Sequence, residues 1–378
     1  MIDSIDIKRY RNLDELRIES LSKVNLITGK NNTGKSTLLE AIALYSTKCD
    51  LGIILQLLEE RGESYRQVPN NKNATETNVK ALSSFFTNRI VGFGQNNAIK
   101  IGTIENTLFG KQETTEKSIS LRFVKYFDEI TSQSEEPVNR RKRTIIDIDD
   151  DKQIVDYKLG LEIRVGLNSF ILPLDDERFY NRISFRGFGS IENFQFIRTR
   201  NIDREINGKL WDNITLTPKE QYVIDALRII EPDIERVAFV EEGTRNRYAV
   251  AKRSSNNNVE PLRSMGDGIN RILTMILALV NSDNGFLLID EFENGLHHSI
   301  QGKIWEIIFN LANKLNVQVF VTTHSEDCIS GFENILNSPQ NNLDGKLIRL
   351  DNINGKIKHV IFSKDELKVA TDQNIETR

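Results

Sequence analysis

A glycine-rich segment near the start of the chain has the residues and the spacing that bind nucleotide phosphates. It reads Gly-Lys-Asn-Asn-Thr-Gly-Lys-Ser-Thr over residues 29–37. Glycines let the backbone curl so that successive N–H groups face phosphate oxygens, and a following helix adds its positive end. Lys35 would place its charge on the β- and γ-phosphates, and the Ser36 hydroxyl would ligate Mg²⁺. The expected phosphate-binding residues are Gly29, Asn31, Asn32, Thr33, Gly34, Lys35, Ser36 and Thr37.

The flanks of this segment are those that a P-loop requires. An apolar run over residues 24–27 predicts a strand before the loop, and residues 38–44 predict a helix after it. The alternative is a surface turn that contains Gly-Lys-Ser by chance. Because all four fixed positions match and both flanks are correct, the pattern favours a P-loop.

A second motif supplies acidic groups to the same chemistry. The apolar run over residues 286–289 predicts a buried strand, and Asp290 and Glu291 follow directly. Asp290 would hold Mg²⁺, through water, while Glu291 would orient and deprotonate the attacking water. Acids often end strands, so this Walker B pattern is weak alone and becomes strong after a complete P-loop.

Two further polar motifs stand at element boundaries in the C-terminal half. Ser264 and Gly266 precede an apolar helix over residues 272–280, and His324 follows a predicted strand over residues 317–321. A histidine at the carboxyl end of such a strand faces the crevice where ligands bind in open α/β sheets. An isolated histidine would more often be structural, but here it could read the γ-phosphate.

An aromatic residue and an arginine lie shortly before the P-loop. Tyr10 and Arg11 fall among short alternating strands over residues 2–28, where they could line an adenine pocket. An edge strand with solvated charges explains the same pattern equally well. Both interpretations stay open at this point.

Composition limits the class of protein. The chain has 378 residues, 39% hydrophobic and 28% charged, which predicts a soluble globular protein of two or three domains. No signal peptide or bilayer-spanning run is expected, and two cysteines in a chain of this length indicate a reducing cytosol. The formal net charge of −4 means that any contact with nucleic acid must come from local basic patches.

The strand and helix patterns predict an α/β chain in three segments. Residues 1–98 and 216–378 would form a nucleotide-binding domain, and residues 99–215 an inserted β-rich lobe. Within that lobe, Arg140–Arg143 and the acids over 147–151 suggest a charge-paired hairpin. Arginines and phenylalanines alternate over residues 182–204, which suits nucleic acid or a protein partner, although ordinary strand packing explains them as well.

The order of these motifs carries a family resemblance. The motifs follow one another in the order found in ABC-type ATPases: P-loop, Ser-x-Gly-x-Gly, hydrophobic strand with two acids, short loop and strand-end histidine. The chain resembles the RecF, SMC and OLD branch of these ATPases. The resemblance implies an ABC-type P-loop fold with a mixed sheet. It makes Ser264 and Gly266 the signature motif, residues 294–297 the D-loop and His324 the switch histidine, and it matches Tyr10 and Arg11 to an N-terminal aromatic–arginine pair.

The chain also departs from the pattern of transporter ATPases. Gly268 stands where glutamine or glutamate is common, and Gln95 is only a guess for the glutamine of the Q-loop. The resemblance covers residues 5–45 and 217–330 well and does not cover the insert.

The resemblance implies ATP and Mg²⁺ as cofactors, with catalytic roles for Lys35, Glu291 and His324. It further implies a homodimer or higher homo-oligomer that closes on ATP, cytoplasmic and away from membranes. The expected setting is DNA-related, with possible DNA contact, most simply bacteriophage defence beside a separate effector nuclease or toxin. A RecF-like repair ATPase and a nucleotide-stabilised scaffold with little turnover are the alternatives, whereas a transporter ATPase or a nuclease in its own right fits less well.

Overall fold

The computed structural model describes residues 1–63, 74–107, 110–131, 140–146, 157–175, 193–198, 204–242, 246–255, 258–338, 343–373 and 377. The strands are β1 (Ile5–Tyr10), β2 (Leu13–Ile18), β3 (Val24–Thr28), β4 (Ile99–Thr107), β5 (Gly110–Thr131), β6 (Arg140–Ile145), β7 (Lys158–Val165), β8 (Asn168–Pro173), β9 (Phe194–Ile197), β10 (Ile234–Glu242), β11 (Asn246–Arg253), β12 (Val259–Pro261), β13 (Phe286–Ile289), β14 (Gln318–Thr322), β15 (Gly345–Ile353) and β16 (Lys356–Phe362).

Helices accompany these strands, as the sequence predicts for an α/β chain. They are α1 (Lys35–Ser46), α2 (Leu51–Glu59), α3 (Ala74–Ser83), α4 (Arg204–Asp212), α5 (Pro218–Ile230), α6 (Asp267–Asn281), α7 (His298–Lys314), α8 (Glu326–Leu336) and α9 (Lys364–Asp372). None of them, within the part of the chain just given, has the length and hydropathy of a membrane span.

A six-stranded mixed sheet carries the predicted site. Its strand order is β16-β15-β3-β14-β13-β9, and every neighbouring pair is parallel except β15 and β16. The strands that precede the P-loop, the acid pair and the strand-end histidine are therefore adjacent and point the same way. Carboxyl ends of parallel strands meet at one edge of a sheet, so the three motifs converge there.

The central strands are buried on both faces, which explains their continuous apolar runs. Alternate residues along β13 enter different cores: Leu287 and Ile289 pack with α6 and α7, whereas Phe286 and Leu288 pack with α1 and the second sheet. The sheet thus lies between two hydrophobic layers, and its polar carboxyl edge is held rigidly.

The second sheet is antiparallel and includes the N-terminal hairpin. Its order is β2-β1-β4-β5-β7-β8, with β6 paired to β5. The predicted inserted lobe over 99–215 is therefore not self-contained in its hydrogen bonding, because β4 pairs with β1 and β9 joins the other sheet. Sequence periodicity identifies strands but not the strands with which they pair. For this reason, the sequence alone predicts a separate lobe.

The basic run over residues 140–143 forms part of β6 and pairs with β5. Arg143 stands opposite Asp128, and Lys142 stands opposite Glu129. The acids that face this run therefore belong to β5, while the predicted partners over 147–151 lie outside the described residues. Most of the arginine–phenylalanine stretch over 182–204 also lies outside them, apart from residues 193–198 and the backbone of Arg204.

Candidate active site

The P-loop adopts a backbone that only small residues tolerate at two positions. Gly29 has φ 135°, and a Cβ placed there would lie 2.3 Å from the carbonyl oxygen of Leu350 on the neighbouring strand. Gly34 has φ 91° and forms the N-cap of α1 without a side-chain hydrogen bond. No side chain therefore caps the first N–H groups of α1, and the sequence prediction that they bind phosphate requires such a helix end.

Lys35 is buried and lies across the loop. Its Nζ donates hydrogen bonds to the carbonyl oxygens of Gly29, at 2.7 Å, and Lys30, at 2.9 Å. Burial lowers the pKa of Lys35 to about 8, while the nearby carboxylates, Asp290 foremost, act in the opposite direction. The ammonium group is therefore poorly solvated and gains strongly from any phosphate placed beside it.

Asp290 follows β13 and receives two hydroxyl groups from other elements. Its Oδ1 accepts hydrogen bonds from Ser36 Oγ at 3.1 Å and from Thr322 Oγ1 at 2.5 Å. Burial raises the pKa of Asp290, and these two hydrogen bonds lower it. A carboxylate beside a serine hydroxyl at a phosphate loop is a donor set that suits Mg²⁺, which prefers oxygen ligands and keeps bonds for phosphate and water.

Glu291 sits in a left-handed backbone conformation, with φ 52°. Two side chains help to secure this turn: Thr322 Oγ1 accepts a hydrogen bond from the Glu291 N–H at 2.9 Å, and Arg271 Nη2 donates to the Glu291 carbonyl at 2.8 Å. Such a conformation is uncommon for residues other than glycine and persists where the surroundings enforce it. The turn directs Glu291 toward the phosphate cavity.

That cavity has a volume of about 190 Å³ and brings most of the predicted residues together. It is lined by Asn12, Asn31, Asn32, Thr33, Gly34, Lys35, Ser36, Thr37, Arg61, Asp290, Glu291, Thr322 and His324. The strand-end histidine, both acids and the P-loop thus share one space. Sequence patterns predicted these groups except Asn12, Arg61 and Thr322.

Arg271 is a buried residue of the site that the sequence interpretation missed. It lies on α6, only 2% exposed, and beneath the backbone of Asp290 and Glu291. Burial lowers its pKa, and Glu293, Glu291 and Asp290 act against that shift. The available signal was its position directly before the apolar run over residues 272–280, since an arginine on a buried helix needs acidic or carbonyl partners.

Glu293 is the second residue that the sequence interpretation missed. Its Oε2 accepts a hydrogen bond from Thr323 Oγ1, and its Oε1 accepts one from the N–H of His324, both at 2.7 Å. The carboxylate therefore joins the turn after β13 to the turn after β14. An acid two positions after Glu291 was visible in the sequence, but its hydrogen-bond partners were not.

Tyr10 does not face a nucleotide. It is fully buried, its hydroxyl donates to Glu40 at 3.2 Å, and burial raises its pKa. Arg11 pairs with the same carboxylate at 2.7 Å, and Arg61 binds its other oxygen at 2.7 Å. A side chain without exposed surface cannot stack on adenine, so direct contact by Tyr10 is corrected to support of this buried charge cluster.

A polar groove continues from the phosphate cavity and offers room for the nucleoside. Its volume is about 730 Å³, and it shares Asn12, Asn32, Thr37 and Arg61 with that cavity. Arg11 lines the groove at its inner side, so a nucleoside-side role for Arg11 stays open. Gln95 lines neither space and lies exposed in a short 3₁₀ turn, Gln95–Asn97.

The predicted signature residues lie apart from the phosphate cavity. Ser264 is exposed, with its hydroxyl bonded to the carbonyl of Pro261 at 2.7 Å. Gly266 has φ 112° and faces open space, since no atom lies within 4 Å of the position of a Cβ. Neither residue lines the cavity in this chain.

Comparisons with known proteins match most of the chain. The model of a family described as "AAA domain, putative AbiEii toxin, Type IV TA system" matches residues 24–327. A Helicobacter pylori protein named "ATP/GTP phosphatase" is 24% identical over 350 residues, which cover 89% of this chain and 88% of that protein. An uncharacterized protein of Methanocaldococcus jannaschii is 38% identical over 98 residues, 23% of this chain and 45% of its own length.

Two solved structures with the same fold are heads of Smc proteins. One is an Smc head bound to the C-terminal winged-helix domain of ScpA, with TM-score 0.51, 12% identity and coverage of 96% of this chain and 98% of that chain. Another is an Smc head with an extended coiled coil bound to the C-terminal domain of ScpA from Pyrococcus furiosus, with TM-score 0.50, 11% identity and 99% coverage of both chains. At these identities the likeness concerns the fold, and it confirms the ABC-type nucleotide-binding fold.

Proposed function

The chain belongs to the AAA-domain family that its residues 24–327 match, which makes it an ATPase, and we propose that it works as an ATP-driven dimeric switch. The observation that supports the proposal is that the predicted site residues lie in two separate places on the chain. One surface holds the phosphate loop, the acids and His324 around a single cavity, while Ser264 and Gly266 are exposed elsewhere. A second copy would bring its signature residues to the phosphates.

The hydrolytic step uses groups that already surround the cavity. Lys35 and the N–H groups at the start of α1 would hold the phosphates, and Ser36 and Asp290 would hold Mg²⁺, which screens the phosphate charge. Glu291 would take a proton from the attacking water. His324 lines the same cavity and would contact the γ-phosphate from the sheet side.

The switch follows from differential binding. A closed dimer would contact the γ-phosphate from both copies, whereas an open one would contact it from the P-loop side alone. ATP therefore favours the closed state by the free energy of the added contacts, and hydrolysis returns the open state.

The biological setting is proposed by similarity and by composition. The matched family description names a putative toxin of a type IV TA system. On the family resemblance we further propose phage defence beside a separate effector nuclease or toxin. The two Smc heads were solved with a domain of ScpA bound to them. By analogy, a partner protein would bind to this ATPase. A reducing cytosol fits the two buried free cysteines, Cys49 and Cys328. DNA repair of the RecF kind is the second candidate.

Mixing two inactive variants tests the shared site. Lys35→Ala should lose nucleotide binding, and Ser264→Arg should keep it but block the sandwich by bulk and charge. A mixed dimer then has one site with an intact P-loop and an intact signature, so ATPase activity should partly return. Absence of recovery in proven mixed dimers would argue against a shared site.

Glu291→Gln removes the base and should slow turnover by roughly two to four decades. The ATP-bound dimer should then accumulate and be detectable by size-exclusion chromatography.

A further inference from the structure

Glu293 links the two turns on which the proposed chemistry depends. It belongs to the turn after β13, two residues beyond Glu291, and both of its carboxylate oxygens are bonded to the turn after β14. One bond comes from the hydroxyl of Thr323, which is fully buried, and the other from the main-chain N–H of His324. A bidentate clamp of this kind restrains orientation as well as distance.

Main-chain hydrogen bonds fix both ends of the clamp. The Phe292 N–H donates to the carbonyl of Thr322 at 3.0 Å, and the Asn294 N–H donates to the carbonyl of Glu291 at 3.1 Å. The Thr323 N–H donates to the carbonyl of Ile27 at 3.1 Å. Glu293 therefore extends from a rigid turn to a rigid strand end, and the residue held at its tip is His324.

The charge of Glu293 also suits this place. Its carboxylate is the foremost of the acids that support the ionised form of the buried Arg271, and it supports Lys35 as well. Both cations flank the catalytic turn, one beneath it and one across the P-loop. An ionised Glu293 thus accepts two hydrogen bonds while it balances positive charge on either side.

We propose that Glu293 is a positioning residue that aims His324 at the γ-phosphate. Glu293 lines neither the phosphate cavity nor the neighbouring polar groove, whereas His324 and Glu291 line the phosphate cavity. Its effect on turnover passes through the main chain of His324. The inference rests on the proposed function, because it assigns His324 a contact with the reacting phosphate.

A double-mutant cycle in the full chain separates this role from general stabilisation. Glu293→Ala should lower kcat by about a hundredfold, the loss expected when His324 is displaced by about 1 Å, with little change in KM. His324→Ala removes the displaced side chain itself and should lower kcat by at least as much. The double variant should be no more than about threefold slower than His324→Ala, because residues that act as a unit are not additive. Glu306→Gln, on the exposed face of α7, is the matched control and should leave kcat unchanged.

Rescue by the isosteric variant tests the geometry of the clamp. In Glu293→Gln the amide oxygen still accepts from the His324 N–H, and the Thr323 hydroxyl can accept from the amide nitrogen. We expect kcat within about fivefold of the native value, far above that of Glu293→Ala. Thr323→Val removes one arm only and should fall between them, and it carries the test if Glu293→Ala does not fold.

Three results would overturn the inference. Losses that multiply in the Glu293→Ala and His324→Ala double variant would mean that Glu293 acts independently of His324. A Glu293→Gln variant as slow as Glu293→Ala would mean that its charge matters and its hydrogen bonds do not. Native turnover in His324→Ala would refute the γ-phosphate role of His324 and this inference together, whereas the first two results leave the proposed function intact.

Discussion

Thr322→Val is expected to uncouple the two acids of the site at little change in shape. Thr322 is 1% exposed, and its hydroxyl both donates to Asp290 Oδ1 at 2.5 Å and accepts from the Glu291 N–H at 2.9 Å. Valine has nearly the same volume and β-branching, so the strand can retain its packing. The substitution removes Thr322 Oγ1, the atom that takes part in both of these hydrogen bonds.

The structure sets the size of the effect. A hydrogen bond to a carboxylate contributes about 1.5–3 kcal/mol, and a buried N–H without an acceptor costs about 1–3 kcal/mol. Ser36 still bonds Asp290, and the Glu291 N–H is only partly buried, so the lower parts of these ranges apply. We expect the free energy of unfolding to fall by about 2–4 kcal/mol. We expect kcat to fall about 10- to 100-fold, because the Glu291 turn loses the hydrogen bond on its N–H.

Thr322→Ser provides the matched control. It keeps the hydroxyl and loses one methyl group, which costs about 1 kcal/mol in a buried strand. Urea denaturation followed by circular dichroism gives the stability of both variants, and steady-state phosphate release gives kcat. If the valine and serine variants unfold at the same urea midpoint and turn over ATP equally fast, the hydroxyl does not hold the two acids and the reasoning is wrong.

Two further predictions follow from the same site. Nucleotide affinity should weaken at alkaline pH, because a lysine of pKa about 8 is roughly three-quarters protonated at pH 7.5 and about one-tenth protonated at pH 9, an expected loss of about eightfold. Binding should take up protons, since phosphate raises the pKa of Lys35, and calorimetry in two buffers of different ionisation enthalpy measures that uptake. A nucleotide affinity that stays constant from pH 7.5 to 9 would contradict the phosphate-binding role of Lys35. Tyr10→Phe should leave the Kd for ATP unchanged but lower the free energy of unfolding by about 1 kcal/mol, through loss of the bond to Glu40. A large rise in Kd, measured by fluorescent-nucleotide titration, would restore a direct nucleotide role for Tyr10.

Local sequence determined the chemistry of the loop and the strand ends. Each of these motifs is a property of a few consecutive residues: the glycine spacing, the acid pair after one apolar run and the histidine after another apolar run. The structure places Lys35, Asp290, Glu291 and His324 in one cavity, as those patterns require. The helix that begins after Thr217 was equally local, since its hydroxyl caps the N–H of Lys219 and Pro218 stands at N1.

Tertiary structure alone decided which distant groups complete the site. Thr322, Arg271 and Glu293 each reach the acids or the histidine from another element, and such partners depend on strand order and helix packing. The same reason explains why two interpretations differ between sequence and structure. From sequence Tyr10 could line an adenine pocket, whereas in the structure Glu40 of α1 lies against its hydroxyl. The predicted lobe over residues 99–215 begins with β4, which pairs with β1 outside that range. Periodicity states which face of a strand is buried, but the partner that buries it is fixed only when the whole chain folds.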